Sequence, residues 1–161
     1  MTVQPPMSDA EQLKGRIRNV PDFPKPGILF YDITTLLQDP SGFRLAVDHL
    51  VRPFEGQGIQ VGGVIESRGF ILGSVVADRI GAGFSPVRKP GKLPSKTMRA
   101  SYDLEYGADA LEIHHDAVSP GQRVLIVDDL LATGGTAKAT SDLVKGLGGV
   151  VHAVAVLIEL V

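Results

Sequence analysis

The sequence predicts an α/β protein with a mostly parallel central sheet and helices on both of its faces. Three observations carry this expectation: apolar runs of strand length at residues 61–65, 124–127 and 150–160, helix-period segments between them, and glycine-rich turns where strand gives way to helix. Glycine, at 19 of 161 residues, exceeds its usual share of about 7%, which points to close backbone approaches or anion-cradling loops.

Residues 8–19 read as a short amphipathic helix, with Ser8 or Asp9 as its cap and Leu13 and Ile17 four apart. Pro21, Pro24, Pro26 and Gly27 then impose an extended path, delivering the chain to the apolar piece 28–31, a loop or short strand. A second helix is expected from Asp39 or Ser41 to about Arg52, with Phe43, Ala46, Val47 and Leu50 on one face. The run 61–65 leads through ESRG into helical periodicity from Phe70 to about Ile80, a strand, turn, helix unit. Residues 85–87 suggest a short strand, and the basic, proline-broken loop RKPGKLPSKT after it is expected to be mobile. Residues 98–104 and 110–115 alternate as a hairpin around Tyr106 and Gly107. Ser119, Pro120 and Gly121 make a turn, 124–127 a buried strand, 136–147 a helix ended by Gly148 and Gly149, and 150–160 the final strand. No repeat, low-complexity tract or long linker divides the chain, so residues 1–161 read as a single domain.

Composition removes several classes of function. With no cysteine there is no thiol catalysis, thiolate metal site or disulfide framework, which accords with a reducing, cytoplasmic setting. Residues 1–18 hold no apolar run of the kind a signal peptide requires. The most apolar stretch, 150–158, contains His152 and falls far short of the roughly 20 residues that span a bilayer, so no membrane partner is expected. A formal charge of −2 and a pI near 6.1 give no general attraction to nucleic acid, so none is expected as a partner, and any anion must be held by locally placed groups. The 4 histidines lack zinc-ligand spacing, and neither a G-x-S-x-G elbow nor a G-x-G-x-x-G dinucleotide turn is present.

The strongest feature is VLIVDDLLATGGT, residues 124–136, where a buried strand runs into two carboxylates, then small residues and glycines, then a helix. Free amides at a helix start, with Ala132, Gly134, Gly135 and the hydroxyls of Thr133 and Thr136, make a cradle for a phosphate that the helix dipole reinforces. No Lys precedes the final Thr, so the loop suits a terminal phosphate rather than a triphosphate chain. Asp128 and Asp129 sit at the carboxyl end of the strand, where open α/β sheets bind ligands, and a ribose diol together with Mg²⁺ would satisfy both carboxylates. A second strand-to-helix turn, Glu66-Ser67-Arg68-Gly69, offers another anion site, and Arg88, Lys89 and Lys92 concentrate positive charge in a chain of negative net charge.

VDDLLATGGT resembles the phosphoribosyl pyrophosphate signature of the type I phosphoribosyltransferases. The segments PDFPKPGILFYDITTLL, IESRGFILG, VRKPGKLPSKT and SYDLEYGADALEIHHDA, in this order, narrow the resemblance to the adenine-specific members of that family, over residues 18–160. It implies a type I fold with a small hood to which the segment up to about residue 35 contributes. It also implies transfer of the 5-phosphoribosyl group from phosphoribosyl pyrophosphate to adenine, giving AMP and pyrophosphate, with Mg²⁺ as cofactor and a homodimer as the working form. By resemblance, Glu66, Ser67, Arg68, Arg88, Lys89 and Lys92 serve the pyrophosphate, with Arg88 reaching toward a neighbouring subunit's site and a cis peptide expected between Glu66 and Ser67. Asp128, Asp129 and residues 132–136 serve the ribose and 5′-phosphate, and the two aspartates reach the metal indirectly through substrate oxygens. Glu105 is the acid/base that takes the proton from one imidazole nitrogen as the other attacks, Tyr106 closes over the ligand, and Arg68 carries departing charge. Phe30, Tyr31 and Leu130 are candidates for holding the base.

Two departures from the family pattern stand out. Tyr31 follows Phe30 where a basic residue is often associated with the family, so base contacts there are expected through backbone. Relatives also continue past the IEL of residues 158–160 with a segment containing Gly-Arg. Two rival readings are a transferase for xanthine or hypoxanthine and a non-catalytic sensor of phosphoribosyl pyrophosphate. The sensor would usually carry a basic DNA-binding element, which this sequence lacks, and Glu105 favours catalysis.

Overall fold

The computed structural model describes residues 7–104 and 107–160. The chain divides into two compact units, Met1–His49 and Leu50–Val161.

In the first unit, α1 (Asp9–Lys14) opens on a capping box in which the Ser8 side chain accepts from the Glu11 amide and Glu11 reaches back to the Ser8 amide. The helix stops at Gly15, earlier than the residue 19 expected from the Leu13 and Ile17 spacing, because the next residues are used in a sheet. Strand β1 (Arg18–Pro21) pairs antiparallel with β2 (Leu29–Asp32), Asn19 opposite Tyr31 and Val20 opposite Phe30. The proline-rich path between them turns at Asp22, whose φ is 56° and whose carboxylate accepts from the Gly27 amide at 2.7 Å. A short helix that the sequence did not announce, α2 (Thr34–Gln38), starts where Asp32 accepts from the Thr34 amide and hydroxyl. Asp39 then caps α3 (Pro40–Val51) through the Ser41 and Gly42 amides, with proline at the first helical position, where its missing N–H costs nothing.

The second unit is the α/β body. After a short 3₁₀ turn at Arg52–Phe54 come β3 (Val61–Ile65), α4 (Gly69–Arg79) and β4 (Gly83–Val87), and then β5 (Thr97–Leu104) and β6 (Gly107–His114). The chain closes with β7 (Arg123–Leu131), α5 (Gly135–Gly146) and β8 (Val150–Glu159). The central sheet has the order β4-β3-β7-β8 with every pairing parallel, as the buried β-branched runs predict. Strands β5 and β6 form a separate antiparallel pair.

Parallel strands require crossovers, and right-handed crossovers that leave β3 and β7 in opposite directions place α4 and α5 on opposite faces. The packing agrees. A Cβ on Gly62 or Gly73 would meet Ala77 or Val64, so β3 and α4 approach through glycine on one face. On the other face, Val61, Ile65, Val124 and Ile126 form one cluster with Ala139, Leu143 and Val144 of α5 and with Leu111 and Ile113 of β6. The strand order reverses between β3 and β7, so the crevice at their carboxyl ends is where such a sheet opens to a ligand.

Candidate functional site

Both anion-turn sequences emerge at that crevice. The turn after β3 carries Glu66, Ser67 and Arg68, and the peptide between Glu66 and Ser67 is cis. Strand β7 continues through Asp128 and Asp129, since Asp128 still pairs with Val156 and Leu130 with Ile158. The aspartates are therefore held by the sheet rather than by a loose turn. Gly69, at the start of α4, makes this approach possible: a Cβ there would lie 3.1 Å from Asp128 Oδ1 and 3.4 Å from the Asp128 Cα.

A cavity of about 410 Å³ opens here, lined by Glu66, Ser67, Arg68, Lys89, Lys92, Tyr102, Asp128, Asp129, Leu130 and Thr136. A smaller hollow of about 130 Å³ adjoins it through Asp128, Leu130 and Thr136, and is lined also by Ala132, Thr133 and Gly134. Gly134 caps α5 with φ 83°, and the amides of that helix's first turn have no acceptor within the helix. Gly135 lines neither hollow; a Cβ on it would stand 3.2 Å from the Tyr102 ring.

The electrostatics of the crevice consist of paired opposites. Arg68 Nε donates to Asp129 Oδ2 at 2.5 Å, and the Asp129 amide donates to Asp128 Oδ1 at 2.8 Å. Burial, aided by the adjacent Asp129 carboxylate, pushes the Asp128 carboxyl up to about 7. Glu66, whose side chain is 7% exposed, accepts from Arg88 Nε at 2.6 Å and from Lys92 Nζ at 2.9 Å. Burial alone would raise its pKa, but these two cations and the Lys89 amide reverse that and hold it below the ordinary value. Lys89 Nζ donates to Asp109 and, at 3.2 Å, to the Tyr102 hydroxyl.

The basic segment expected to be mobile is tied down at residues 88–92. Arg88 makes a backbone bridge with Glu112, and the Gly91 amide donates to the Glu112 carboxylate at 3.1 Å. Within its own chain the Arg88 guanidinium lies on Glu66, 5.8 Å from the Phe70 ring centre.

Phe30 and Tyr31 lie in β2 of the first unit, where Phe30 meets Phe23 edge to face with ring centres 5.1 Å apart. Glu105 and Tyr106 fall outside the described residues. Three contributors escaped the sequence reading as site residues: Tyr102, Asp109 and Glu112. Tyr102 and Asp109 are direct cross-strand partners, so the hairpin register would have linked them.

Among the described residues no group of three or more histidines and carboxylates could hold a metal ion by itself, and no helix is long and apolar enough to cross a membrane.

Residues 64–159 match the family model of the phosphoribosyl transferase domain. The chain is 58% identical over 152 residues to an adenine phosphoribosyltransferase of Acidobacterium capsulatum, covering 94% of this chain and 84% of the relative. It is 57% identical to one from Nitrosococcus oceani, covering 93% and 88%. Among solved structures, an adenine phosphoribosyltransferase of Rhodothermus marinus superposes with a TM-score of 0.90 at 56% identity, over 94% of this chain and 86% of that one. One from Saccharomyces cerevisiae, complexed with an imino-altritol bisphosphate and adenine, gives 0.89 at 40% identity over 94% and 89%. With the parallel sheet, the two anion turns and these relatives together, the chain belongs to the phosphoribosyltransferase family, within its adenine phosphoribosyltransferase branch.

Proposed function

We propose that this chain transfers the 5-phosphoribosyl group of phosphoribosyl pyrophosphate to adenine, releasing AMP and pyrophosphate. The observation that carries the reading is the joining of two anion turns at one crevice, with paired carboxylates between them. The first turn of α5 and the hydroxyls of Thr133 and Thr136 receive the 5′-phosphate. Asp128 and Asp129 accept from the ribose diol, and Arg68, Lys89 and Lys92 face the pyrophosphate. The sugar is thus gripped at both ends, which orients its anomeric carbon for the incoming base.

The carboxylate pair suits Mg²⁺ held indirectly, through substrate oxygens: burial raises the Asp128 carboxyl to about 7, and a cation beside it would keep it ionised. Bound there, Mg²⁺ would neutralise charge on the departing pyrophosphate. Arg68 does the same from the protein side, as charge builds on the leaving oxygens. Glu105 accepts the proton of adenine, and Tyr106 covers the ligand. For the base itself the candidates are Phe30, Tyr31 and Leu130. The working form is a cytoplasmic homodimer.

The test is pyrophosphate release measured with adenine, hypoxanthine, guanine and xanthine in turn. Release with adenine at far higher kcat/KM supports the reading. Preference for an oxopurine selects a transferase for another base, and no release with any base, despite binding of phosphoribosyl pyrophosphate, selects a sensor. Glu105→Gln should lower turnover far more than phosphoribosyl pyrophosphate affinity.

A further inference from the structure

The β5–β6 hairpin presents one apolar face to the body: Met98 opposite Ile113, then Ala100 opposite Leu111, each packed in the same core cluster. The next pair on that face is Tyr102 opposite Asp109. A carboxylate that continues an apolar row is explained by what it touches. Asp109 Oδ1 accepts from the Ala110 amide at 2.8 Å, and Oδ2 receives both Lys89 Nζ and, at 3.2 Å, the Tyr102 hydroxyl. The Tyr102 hydroxyl in turn accepts from Lys89. An ammonium has three N–H donors, and these two partners occupy two of them while Lys89 lines the crevice. Burial would lower the Lys89 pKa, but the hydrogen bonds that its ammonium donates to Asp109 and Tyr102 raise it instead, so the group stays charged. The Tyr102 ring, meanwhile, stands against Gly135 at the start of α5.

We infer that Asp109 and Tyr102 are positioning residues: they fix Lys89 as a pre-aimed donor for the pyrophosphate group. The inference rests on the proposed function and deepens it by naming the groups that organise the pyrophosphate subsite: their polar atoms meet Lys89, while only the Tyr102 ring, which Tyr102→Phe retains, borders the phosphate turn. Long ammonium side chains lose rotamer freedom when they bind an anion, and a lysine already held by a carboxylate and a phenol gives up less.

The test is calorimetric titration with pyrophosphate in magnesium buffer and, separately, with AMP. Asp109→Asn should weaken pyrophosphate roughly tenfold, since hydrogen bonds to charged groups are worth that much, and should leave AMP affinity within about twofold. Tyr102→Phe, which keeps the ring against Gly135, should show the same split to a smaller degree and stands in if the Asp109 variant does not fold. Lys89→Met should reproduce the Asp109→Asn loss, and the double variant should add no more than about twofold to it. A full additional loss from Asp109→Asn in the Lys89→Met background would overturn the inference. So would equal losses for AMP and pyrophosphate, or tighter pyrophosphate binding, which would make Asp109 a competitor for Lys89. If the unaltered protein binds pyrophosphate with this split but makes no AMP from adenine, the functional reading fails and the positioning role stands. If the unaltered protein does not bind pyrophosphate, both fail.

Discussion

Gly134 offers a perturbation whose cost can be worked out before it is measured. The residue caps α5 at φ 83°, and a Cβ built there meets nothing nearer than Leu131 Cδ1 at 4.0 Å. Gly134→Ala therefore introduces no steric clash, and its whole effect is the left-handed backbone penalty of about 1–2 kcal/mol for an L-residue. That penalty must appear in one of two places. If the loop keeps its shape, the folded protein carries it, thermal unfolding falls by roughly 2–8 °C, and AMP affinity is unchanged. If the loop relaxes when empty and is restored by the 5′-phosphate, stability is kept and AMP binding weakens by about 5- to 30-fold. Thermal unfolding and AMP calorimetry on the same samples measure both parts, which should sum to the same total. Gly134→Asn should recover most of the loss, because asparagine tolerates this conformation. A summed loss under about 0.5 kcal/mol, or an Asn variant as damaged as the Ala one, would refute the assignment of this turn as a conformationally fixed phosphate cradle.

Gly73→Ala would gain about 1 kcal/mol of helix propensity, yet its Cβ would sit 2.4 Å from Val64 Cγ1, and overpacking of about 1–3 kcal/mol should win, visible as a lower urea midpoint. Glu66→Gln turns an amide toward Arg88 or Lys92. Both cations are a third to a half exposed, so the cost of a broken buried pair is discounted to about 1–2 kcal/mol, read by urea unfolding at pH 7. Because the Glu66 pKa is depressed in the folded state, its stabilisation is complete above the unfolded value near 4.5 and fades as pH falls through the folded one; the variant should flatten that part of the acid-unfolding curve. Asp39, held down to about 2 by Arg16 and Ser41, should titrate there by carboxyl NMR, and Arg16→Met should return it toward 3.8.

The α/β body was legible because its signals are redundant. Val61–Ile65 and the β7 core are β-branched, buried and bounded by glycine turns, so composition, length and punctuation agree. In the first unit α3 was legible, opening at Asp39 as expected, whereas α2 was not: it starts where Asp32 accepts from the Thr34 amide two residues on, and such bonds compete locally with extended structure. Helix α1 was overextended for a related reason: Leu13 and Ile17 satisfy the helical spacing, but residues 18–21 gain strand partners 8 to 14 residues on in β2, beyond the proline-rich turn, which helical periodicity does not register.

The crevice shows the same division between local and distant information. The turns at residues 66–68 and 132–136 are written contiguously, so their chemistry can be read from the chain. The charge balance cannot. Arg88, Lys89 and Lys92 look like an unopposed basic patch in sequence, yet their carboxylates come from Glu66, 22 and 26 residues before, and from Asp109, 20 residues after. Arg68 finds Asp129 across 61 residues. Each of these cations therefore has an acidic partner supplied by a different element of the fold, and a highly charged ligand enters a site that is already nearly neutral. Its affinity then depends less on the number of positive residues than on how far each carboxylate shares its cation, a quantity fixed by strand register and glycine contacts rather than by composition.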